Sequence, residues 1–274
     1  RVYRLPAGHA EALLDRDSLL YQTPFVRIVG SSAGKLPALL DAYRTGGGVS
    51  WAEFGADTRT GQAEMNRPIY LGLLGSEWFP AVPELHARLI EGGARVADIA
   101  CGEGWSSIAI ASAYPGVQVD GFDIDGPSIE QARRNAADAG VSDRVRFHLG
   151  DAAAIDRTDT YDAVVGFEFV HDLPSPIDVL STMRRIVKPD GHVVVMDERV
   201  ADSFTDDADD IERLMYGISL FVCLPDSMAH RPSVATGTLI RPSVMDAYAK
   251  EAGFASARAL PIEHDMWRFY RLEM

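Results

Sequence analysis

The chain has 274 residues, of which 47% are hydrophobic and 24% are charged. This apolar share is enough for a buried core, which excludes disorder as the main state. No run approaches the roughly 18 apolar residues that span a bilayer. The 26 basic residues face 40 acidic ones, for a formal net charge of −14, and this balance argues against a partner held by nucleic-acid phosphates. We therefore expect a globular protein of one or two domains that acts without nucleic acid or membrane.

Cysteine usage and the first residues indicate the compartment. Cys101 and Cys223 are the two cysteines of the sequence, too few for a disulfide framework or for a cysteine-rich zinc site, so we expect no metal. The first ten residues lack the apolar segment of a secretory signal. We expect a cytoplasmic location. The sequence begins with Arg rather than Met, and we expect that something upstream has been removed or is disordered.

Helical spacing dominates the first 93 residues, with breaks at the glycines 46–48 and at residues 79–80. Strand-like alternation of any length is missing from this part of the sequence. We interpret the region as a helical cap or dimerisation region. Its candidate helices cover residues 17–29, 36–44, 62–74 and 83–91.

From residue 94 onward, short apolar runs alternate with helical patterns. Strands separated by helices require crossover connections, which predict a parallel sheet with helices on both faces. One of these helices has Asp125 as a candidate N-cap, Pro127 in its first turn and Gly140 just past its end. The predicted strands are residues 94–100, 117–122, 144–148, 161–166 and 191–196, and the crossover helices include residues 104–113 and 175–187.

The end of the chain breaks this alternation. Residues 242–252 predict a helix, and residues 255–262 and 266–272 predict two strands joined by three residues. A connection that short permits only an antiparallel pair. We therefore expect the parallel sheet to close with a hairpin.

An insertion at residues 201–240 precedes this tail and carries apolar side chains at helical spacing. It also contains a cluster of four aspartates: Asp206, Asp207, Asp209 and Asp210. Such a cluster could suggest a metal, but the helix dipole favours carboxylates at a helix N-terminus, and we adopt that interpretation. The sequence thus divides into residues 1–93 and an α/β domain of residues 94–274 that carries the insertion.

The strongest chemical signal is the segment 98–104, DIACGEG, between the first predicted strand and its helix. Two glycines in it allow a ligand to approach the backbone closely. Asp123 ends the second strand, where a carboxylate can accept hydrogen bonds from ribose hydroxyls. Gly150 and Asp151 follow the third strand, where a side chain would meet the edge of an adenine. Because the carboxyl ends of parallel strands share one edge of the sheet, these residues predict a single ligand groove.

Each of these features has a structural alternative. The two glycines could serve only a tight strand-to-helix turn, Asp123 could be a solvated strand end, and Asp151 could cap the following helix. The occurrence of all these motifs in one order favours the ligand site.

Taken together, residues 96–196 resemble the class I S-adenosylmethionine-dependent methyltransferases. This resemblance implies a Rossmann-like sheet of seven strands with an antiparallel last strand, which the predicted tail hairpin fits. It also implies S-adenosylmethionine (SAM) as the cofactor, which leaves as S-adenosyl-L-homocysteine (SAH). The matching segments are VADIACGEGWSS, VDGFDIDGPSIEQARRNA, VRFHLGDA, YDAVVGFEFVHDL and LSTMRRIVKPDGHVVVMDE.

The resemblance further assigns eleven residues to the two ends of SAM. Those expected around the methionine part are Asp98, Cys101, Gly102, Gly104, Phe167 and Glu168. Those expected around the ribose and adenine are Asp123, Ile124, Gly150, Asp151 and Ala152. Cys101 is a mild departure from the commonest family pattern.

The helical front and residues 2–6, VYRLP, resemble bacterial methyltransferases with an N-terminal winged-helix-like dimerisation module. On this analogy residues 1–6 are the remnant of a wing, and most of the module is missing. The analogy implies a homodimer.

Methyl transfer from a sulfonium is an in-line displacement in which the enzyme aligns the acceptor and excludes water. A hydroxyl acceptor also needs a base for its proton. His171, just after the fourth strand, is the first candidate because a histidine pKa of about 6.5 suits a base near neutrality. It could instead cap the chain or pack against Pro174. His264 in the tail turn and His230 in the insertion are the other candidates.

We expect a pocket for a small or medium organic acceptor between the front helices, the insertion and the loop after the fourth strand. Its candidate lining residues are Trp78, Tyr216, Phe221 and Met228. The main hypothesis is therefore O-methylation of such an acceptor. One rival is a methyltransferase-fold ligand sensor or transcriptional regulator without turnover. Another is a nicotinamide-dependent oxidoreductase, which Ser107 disfavours because the third glycine of that fingerprint would fall there.

Overall fold

A computed structural model describes residues 2–274, which contain one seven-stranded sheet. Its strands are β1 (Arg95–Ile99), β2 (Gln118–Asp123), β3 (Val145–Leu149), β4 (Tyr161–Phe167), β5 (Val187–Glu198), β6 (Ser256–Ala259) and β7 (Trp267–Glu273). They lie in the order β3-β2-β1-β4-β5-β7-β6. β7 runs antiparallel to both β5 and β6, and the other pairs are parallel. The predicted α/β fold, a parallel sheet closed by an antiparallel hairpin, is therefore confirmed.

The central strands are apolar because helices cover both of their faces. All seven residues of β4 are buried, as are four of the five residues of β1. A strand buried on both faces loses the alternation of polar and apolar side chains, which explains the continuous apolar runs in the sequence. Because β1, β2 and β4 are parallel neighbours, their carboxyl ends lie side by side at one edge of the sheet.

Twelve α-helices surround this sheet within residues 2–274. Six precede it: α1 (Ala7–Leu14), α2 (Thr23–Ala33), α3 (Leu36–Thr45), α4 (Trp51–Phe54), α5 (Ala56–Ile69) and α6 (Pro83–Ile90). Six follow its first strand: α7 (Trp105–Ala113), α8 (Gly126–Asp138), α9 (Pro176–Ile186), α10 (Asp210–Ile218), α11 (Leu224–Ala229) and α12 (Pro242–Glu251). Two π-helical segments, Tyr70–Trp78 and Ser219–Cys223, continue α5 and α10 directly.

Two helix boundaries differ from the sequence-based prediction, each for a local reason. α2 begins at Thr23, six residues later than expected, because Pro24 occupies its first turn, where the missing N–H costs nothing. The predicted helix 62–74 is part of a longer one that starts at residue 56. Gly55, at a φ of +87°, ends α4 and allows α5 to start directly after it.

Two aspartates cap helices on the domain. Asp125 caps α8 as predicted, since its Oδ2 accepts a hydrogen bond from the backbone N–H of Ser128 at 3.0 Å. Asp209, one of the four clustered aspartates, caps α10 by accepting from the backbone N–H of Glu212 at 2.8 Å. This contact is the one expected of a carboxylate at a helix N-terminus.

The front helices and the insertion pack on each other to form a cover. A small apolar core joins α2, α3 and α4 to Val222 and Cys223 of the insertion. The segment Tyr70–Trp78 and α6 belong instead to the large core on one face of the sheet. Because elements of the front region thus contribute to two cores, the boundary at residue 93 stays a prediction.

The wing remnant predicted for residues 1–6 lies partly outside the described residues, which begin at Val2. Residues 2–6 lead into α1 without regular secondary structure. Within the described chain, the helices are too short or too polar to cross a bilayer. Cys101 and Cys223 are both buried as free thiols.

Gly48 allows the chain to lie directly on α11, and we expect its replacement to destabilise the fold. A Cβ at Gly48 would lie 2.1 Å from the Ala229 nitrogen and 2.3 Å from the Pro225 oxygen. Because backbone atoms cannot rotate away, Gly48→Ala should lower the free energy of unfolding by about 1–3 kcal/mol, measured by urea denaturation. Gly47→Ala is the matched control, since the nearest atom to a Cβ there is 3.6 Å away. Equal losses in the two variants would contradict the packing argument.

Candidate active site

A cavity of about 860 Å³ lies at the carboxyl ends of β1, β2 and β4, beneath α2, α5 and the insertion. Nine of the eleven residues predicted at the cofactor lie on its wall: Cys101, Gly102, Asp123, Ile124, Gly150, Asp151, Ala152, Phe167 and Glu168. The structure therefore brings together the turns that follow four different strands, β1 to β4. The remaining two residues, Asp98 and Gly104, are not among the described residues that line the cavity.

The two glycines of the turn after β1 serve different purposes. Gly102 has a φ of +53°, and a Cβ built on it would meet nothing within 4 Å, so its backbone lies bare toward the cavity. Gly104 has a φ of +84°, and a Cβ there would lie 2.5 Å from the Phe147 ring. Gly102 thus leaves room for a ligand, whereas Gly104 permits α7 to pack closely on the sheet.

Asp98 organises this turn from behind. Its side chain is fully buried, and its Oδ2 accepts hydrogen bonds from the hydroxyls of Ser106 and Ser107, each at 2.6 Å. Burial raises the pKa of Asp98 to about 6. Since both serines lie in the first turn of α7, Asp98 fixes the start of that helix against β1.

The carboxylate of Asp123 ties the glycine turn to β2. Its Oδ2 accepts from the backbone N–H of Gly102 at 2.8 Å, and its Oδ1 accepts from that of Asp125 at 2.8 Å. Burial raises the pKa of Asp123. Each carboxylate oxygen has a second lone pair, so Asp123 can accept further hydrogen bonds from a ligand in the cavity.

The position of Asp151 is compatible with both roles that the sequence left open, a helix cap and a contact to a ligand. It caps the short turn Ala152–Ala154 by accepting from the backbone N–H of Ala153 at 2.9 Å. The same residue lies on the cavity wall, as does the exposed Ile124.

Six wall residues carry a buried polar atom without a hydrogen-bond partner in the part of the chain that the structure describes. Two of these atoms are Glu168 Oε1, an acceptor, and Trp105 Nε1, a donor. The other oxygen of Glu168 accepts from Gln62 at 2.7 Å and from Asn66 at 2.9 Å, both on α5. Burial raises the pKa of Glu168 to about 7. An orphaned acceptor and an orphaned donor on one wall fit a ligand that carries both kinds of polar group.

His171 lies on the wall, with 2% of its surface exposed. Its Nδ1 is 2.5 Å from Asp197 Oδ1 and 3.0 Å from Glu198 Oε2. Its Nε2 is 3.3 Å from Asp172 Oδ1. The carboxylates on the Nδ1 side come from the end of β5, and His171 lies in the turn after β4, so the sheet itself holds this cluster.

The carboxylates control the charge of His171. Burial alone would lower the pKa of His171, but the charges of Asp172, Asp197 and Glu198 raise it well above its ordinary value. Burial opposes ionisation of Asp197, yet its contact with His171 lowers the pKa of this carboxyl. Burial raises the pKa of Glu198 well above the usual range. His171 and Asp197 are therefore the ion pair of the cluster.

The other two candidate bases lie in different surroundings. His230 is on the cavity wall, but 55% of its side chain is exposed and its Nε2 is 3.9 Å from Asp226. His264 stacks on Trp267 at 4.4 Å between ring centroids, and its Nδ1 accepts from the backbone N–H of Met266. His264 is not among the described residues of the wall, so the structure does not bring it together with His171.

Of the four residues predicted to line an acceptor pocket, Phe221 lies on the wall. Trp78 is instead buried in the core, with its ring 4.8 Å from that of Phe269. Tyr216, in the insertion, accepts a hydrogen bond from Arg241, which directly follows the insertion. Trp78, Tyr216 and Met228 are not among the described residues of the wall. The prediction failed for them because helical spacing alone does not distinguish a core face from a pocket face.

Sequence reasoning missed two groups of wall residues. The first is the polar stripe Arg59, Gln62 and Asn66 on α5, which contacts Asp125 and Glu168. Its signal is spacing, because residues three and four apart share one face of a helix. The second is the acidic group Asp172, Glu198 and Asp226, together with Asp197, which contacts His171 without lining the described wall. No comparable signal for this group exists in the sequence.

Comparison with known proteins defines the class. Residues 90–230, just over half of the chain, match the family described as "Methyltransferase domain". The chain belongs to this methyltransferase family, and the resemblance to class I methyltransferases is thereby confirmed.

Individual relatives share parts of the chain. The chain is 30% identical over 145 residues to 27-O-demethylrifamycin SV methyltransferase of Amycolatopsis mediterranei, a match that covers 52% of this chain and 53% of the relative. The chain thus spans about half the length of the curated relatives it matches.

Two solved structures share the fold over 98% of the chain. Mitomycin 7-O-methyltransferase MmcR has a TM-score of 0.67 and 19% identity, with 75% of its own length covered. NcsB1, an O-methyltransferase from neocarzinostatin biosynthesis, has a TM-score of 0.61 and 18% identity, with 74% covered. NcsB1 was crystallised with S-adenosylmethionine and 2-hydroxy-5-methyl naphthoic acid.

Proposed function

We propose that this chain transfers a methyl group from SAM to a hydroxyl of a small or medium organic acceptor. The observation that carries the proposal is one cavity wall that holds the glycine turn, Asp123 and His171, with His171 paired to the buried Asp197. Family membership supports methyl transfer. The O-methyltransferase relatives and neighbours support oxygen as the accepting atom.

The cavity wall fits SAM at three places. Gly102 offers bare backbone, and Asp123 offers free lone pairs for ribose hydroxyls. Asp151 lies where the adenine edge is expected. The orphaned atoms Trp105 Nε1 and Glu168 Oε1 supply a donor for a carboxylate and an acceptor for an ammonium group, the two charged groups of an amino acid.

Bound SAM would supply an activated methyl group on a sulfonium, so the chain needs only to align the acceptor, exclude water and remove a proton. His171 is the base in this proposal. In the deprotonated form of His171, Nδ1–H faces Asp197, and Nε2, which lies 3.3 Å from Asp172 Oδ1, has the lone pair that takes the proton of the acceptor hydroxyl. Asp197 stabilises the imidazolium that forms.

The rest of the cavity is suited to an apolar acceptor. Apolar side chains from α2, α5 and the insertion line it, among them Phe25, Ile28, Met65, Leu214, Ile218 and Phe221. A site that is mainly apolar with a few polar groups is typical of small organic ligands.

A labelled-methyl screen tests the proposal directly. The protein is incubated with methyl-labelled SAM and a metabolite extract, and the compound that gains the label is identified. Transfer to a hydroxyl is the expected result. Binding of SAM without transfer to any compound would favour the sensor alternative. Tight binding of a nicotinamide dinucleotide without binding of SAM would favour the oxidoreductase.

We also propose a homodimer in the cytoplasm. The front helices expose apolar side chains that a second copy could cover: Leu13, Leu14, Val26, Val29, Leu36 and Leu40. Two free, buried thiols fit a reducing compartment.

Asp123→Ala should weaken SAH binding by about 10- to 100-fold, because it removes hydrogen bonds to a charged acceptor worth about 1.5–3 kcal/mol. Isothermal titration calorimetry with SAH measures the change. Asp143→Ala is the control, since Asp143 is 75% exposed and remote from the wall. Unchanged affinity in Asp123→Ala, with a native circular dichroism spectrum, would remove Asp123 from the ribose site.

A further inference from the structure

We infer that α5 supplies a residue of the cofactor site: Asn66, whose amide oxygen accepts a hydrogen bond from the ammonium group of SAM beside Glu168. This inference rests on the proposed function and adds to it a binding residue from the cover.

The side-chain amide of Asn66 is only half satisfied. Asn66 lies on the cavity wall and is 7% exposed. Its Nδ2 donates to Glu168 Oε2 at 2.9 Å and to the Tyr70 hydroxyl at 3.2 Å, so both of its hydrogens are used. Its Oδ1 is buried and has no hydrogen-bond partner within residues 2–274. A buried acceptor without a partner is costly, so this oxygen points to a ligand group that donates.

The carboxylate of Glu168 fixes the orientation of this amide. Rotating the amide by half a turn would aim Oδ1 of Asn66 at Glu168 Oε2, and two acceptors repel each other. The N–H side therefore stays with Glu168 and Tyr70. The oxygen of the amide is left for a ligand.

Glu168 offers a second acceptor beside this one. Gln62 donates to the same oxygen as Asn66, at 2.7 Å from Oε2. The other oxygen, Oε1, is buried without a hydrogen-bond partner in the described chain. Glu168 also has a φ of +54°, a left-handed conformation that is strained for a residue other than glycine and that clusters at ligand sites. The turn after β4 thus holds the carboxylate in one position, with one oxygen bound to α5 and the other unused.

The charge of Glu168 is not matched by a cation of the protein. The arginines of the described wall pair with other carboxylates, Arg59 with Asp125 at 2.7 Å and Arg213 with Asp210 at 3.7 Å. Asn66 and Gln62 are neutral amides. A ligand that brings both a positive charge and N–H donors would satisfy the two orphaned oxygens together.

An ammonium group has these properties, and in SAM it belongs to the amino-acid end. The adenine is expected at Asp151, in the turn after β3. Glu168 follows β4, which lies on the opposite side of β1 from β2 and β3. The two acceptors therefore lie on the side of the glycine turn where the amino-acid end of SAM is expected.

Two probes that differ in one group test the inference. One is SAH, and the other is desamino-SAH, in which hydrogen replaces the ammonium group. Their affinities for the full chain are measured by isothermal titration calorimetry. We expect SAH to bind about 10- to 100-fold more tightly than desamino-SAH. Equal affinities would overturn the inference.

Variants of the two amides separate a ligand contact from a supporting role. Asn66→Leu has nearly the same shape but no acceptor, and it should reduce the preference for SAH by about tenfold. Gln62→Met is the matched comparison, because Gln62 donates to the same oxygen of Glu168, and it should reduce the preference by less than about threefold. Equal reductions would mean that Asn66 only holds Glu168, and the inference would be wrong.

Asn135→Leu controls for the loss of a buried asparagine. Asn135 is also 7% exposed, but it lies on α8 and outside the described wall, so the preference for SAH should not change. Circular dichroism checks that each variant is folded, and Asn66→Ala replaces Asn66→Leu if leucine prevents folding. A preference that survives the loss of the Asn66 side chain would also overturn the inference.

The outcomes distinguish this inference from the proposed function. If labelled methyl is transferred but SAH and desamino-SAH bind equally, the Asn66 contact fails and the proposed function stands. If neither probe binds, both fail.

Discussion

Replacing His171 with alanine is expected to lower kcat for O-methylation by about 10²- to 10⁴-fold, the range that a general base contributes. His171 is 2% exposed and held by Asp197 at 2.5 Å, so its imidazole is fixed in one orientation. The acceptor is the compound identified by the labelled-methyl screen, and kcat is measured at saturating SAM. Affinity for SAH should change by less than about threefold, because the proposed adenosyl contacts come from other residues.

His230→Ala is the matched control for this experiment. Both histidines lie on the cavity wall, but His230 is 55% exposed and has its nearest carboxylate at 3.9 Å. A solvated histidine without an orienting partner is a poor base. If His230→Ala lost more activity than His171→Ala, the base would have been assigned to the wrong residue.

The sequence was enough to place the glycine turn, Asp123 and Asp151 at one edge of the sheet, because the signals there are local. Each of these residues lies at the end of a strand or in the turn after it, and parallel strands bring those ends to one edge. Asp123 illustrates this: its position at the end of β2 places it beside Gly102, twenty-one residues earlier in the chain. No contact between distant elements has to be guessed.

The contacts of the cover could not be predicted in the same way, because they join distant segments. Gln62 and Asn66 reach Glu168, more than one hundred residues away. Asp226 meets Trp51 across 175 residues. Such pairs depend on how the cover packs on the sheet, and a carboxylate at a strand end or on a helix looks like an ordinary solvated side chain until that packing is known.

The misplacement of Trp78 has the same origin. Its sequence neighbourhood is apolar and aromatic, which suits a pocket and a core equally. The π-helical segment Tyr70–Trp78 turns Trp78 toward β7, where it packs against Trp267 and Phe269. A local widening of a helix changes which residues share a face, and the spacing of the sequence does not reveal it.

Asp197→Asn is expected to lower kcat by about 10²-fold and to move the acid limb of the pH–rate profile to lower pH. The neutral amide no longer stabilises the imidazolium and no longer fixes the proton on Nδ1. His171 therefore becomes a less effective base, and kcat falls. The shift has a definite sign. A base acts only when deprotonated, so activity rises as pH increases through the pKa of His171, which Asp172, Asp197 and Glu198 raise despite burial. Removing one of these charges lowers that pKa.

Asp120→Asn provides the matched control, because Asp120 is also a buried aspartate bonded to a histidine, His148, at 2.8 Å. This pair lies outside the cavity wall that the structure describes, so its loss should leave the acid limb in place in the fraction of protein that remains folded. An acid limb that stays fixed in Asp197→Asn, or that moves equally in Asp120→Asn, would mean that the titration of His171 does not control the rate. The direction in which the acid limb shifts thus distinguishes a catalytic base held by Asp197 from a histidine with only a structural role in the cavity wall.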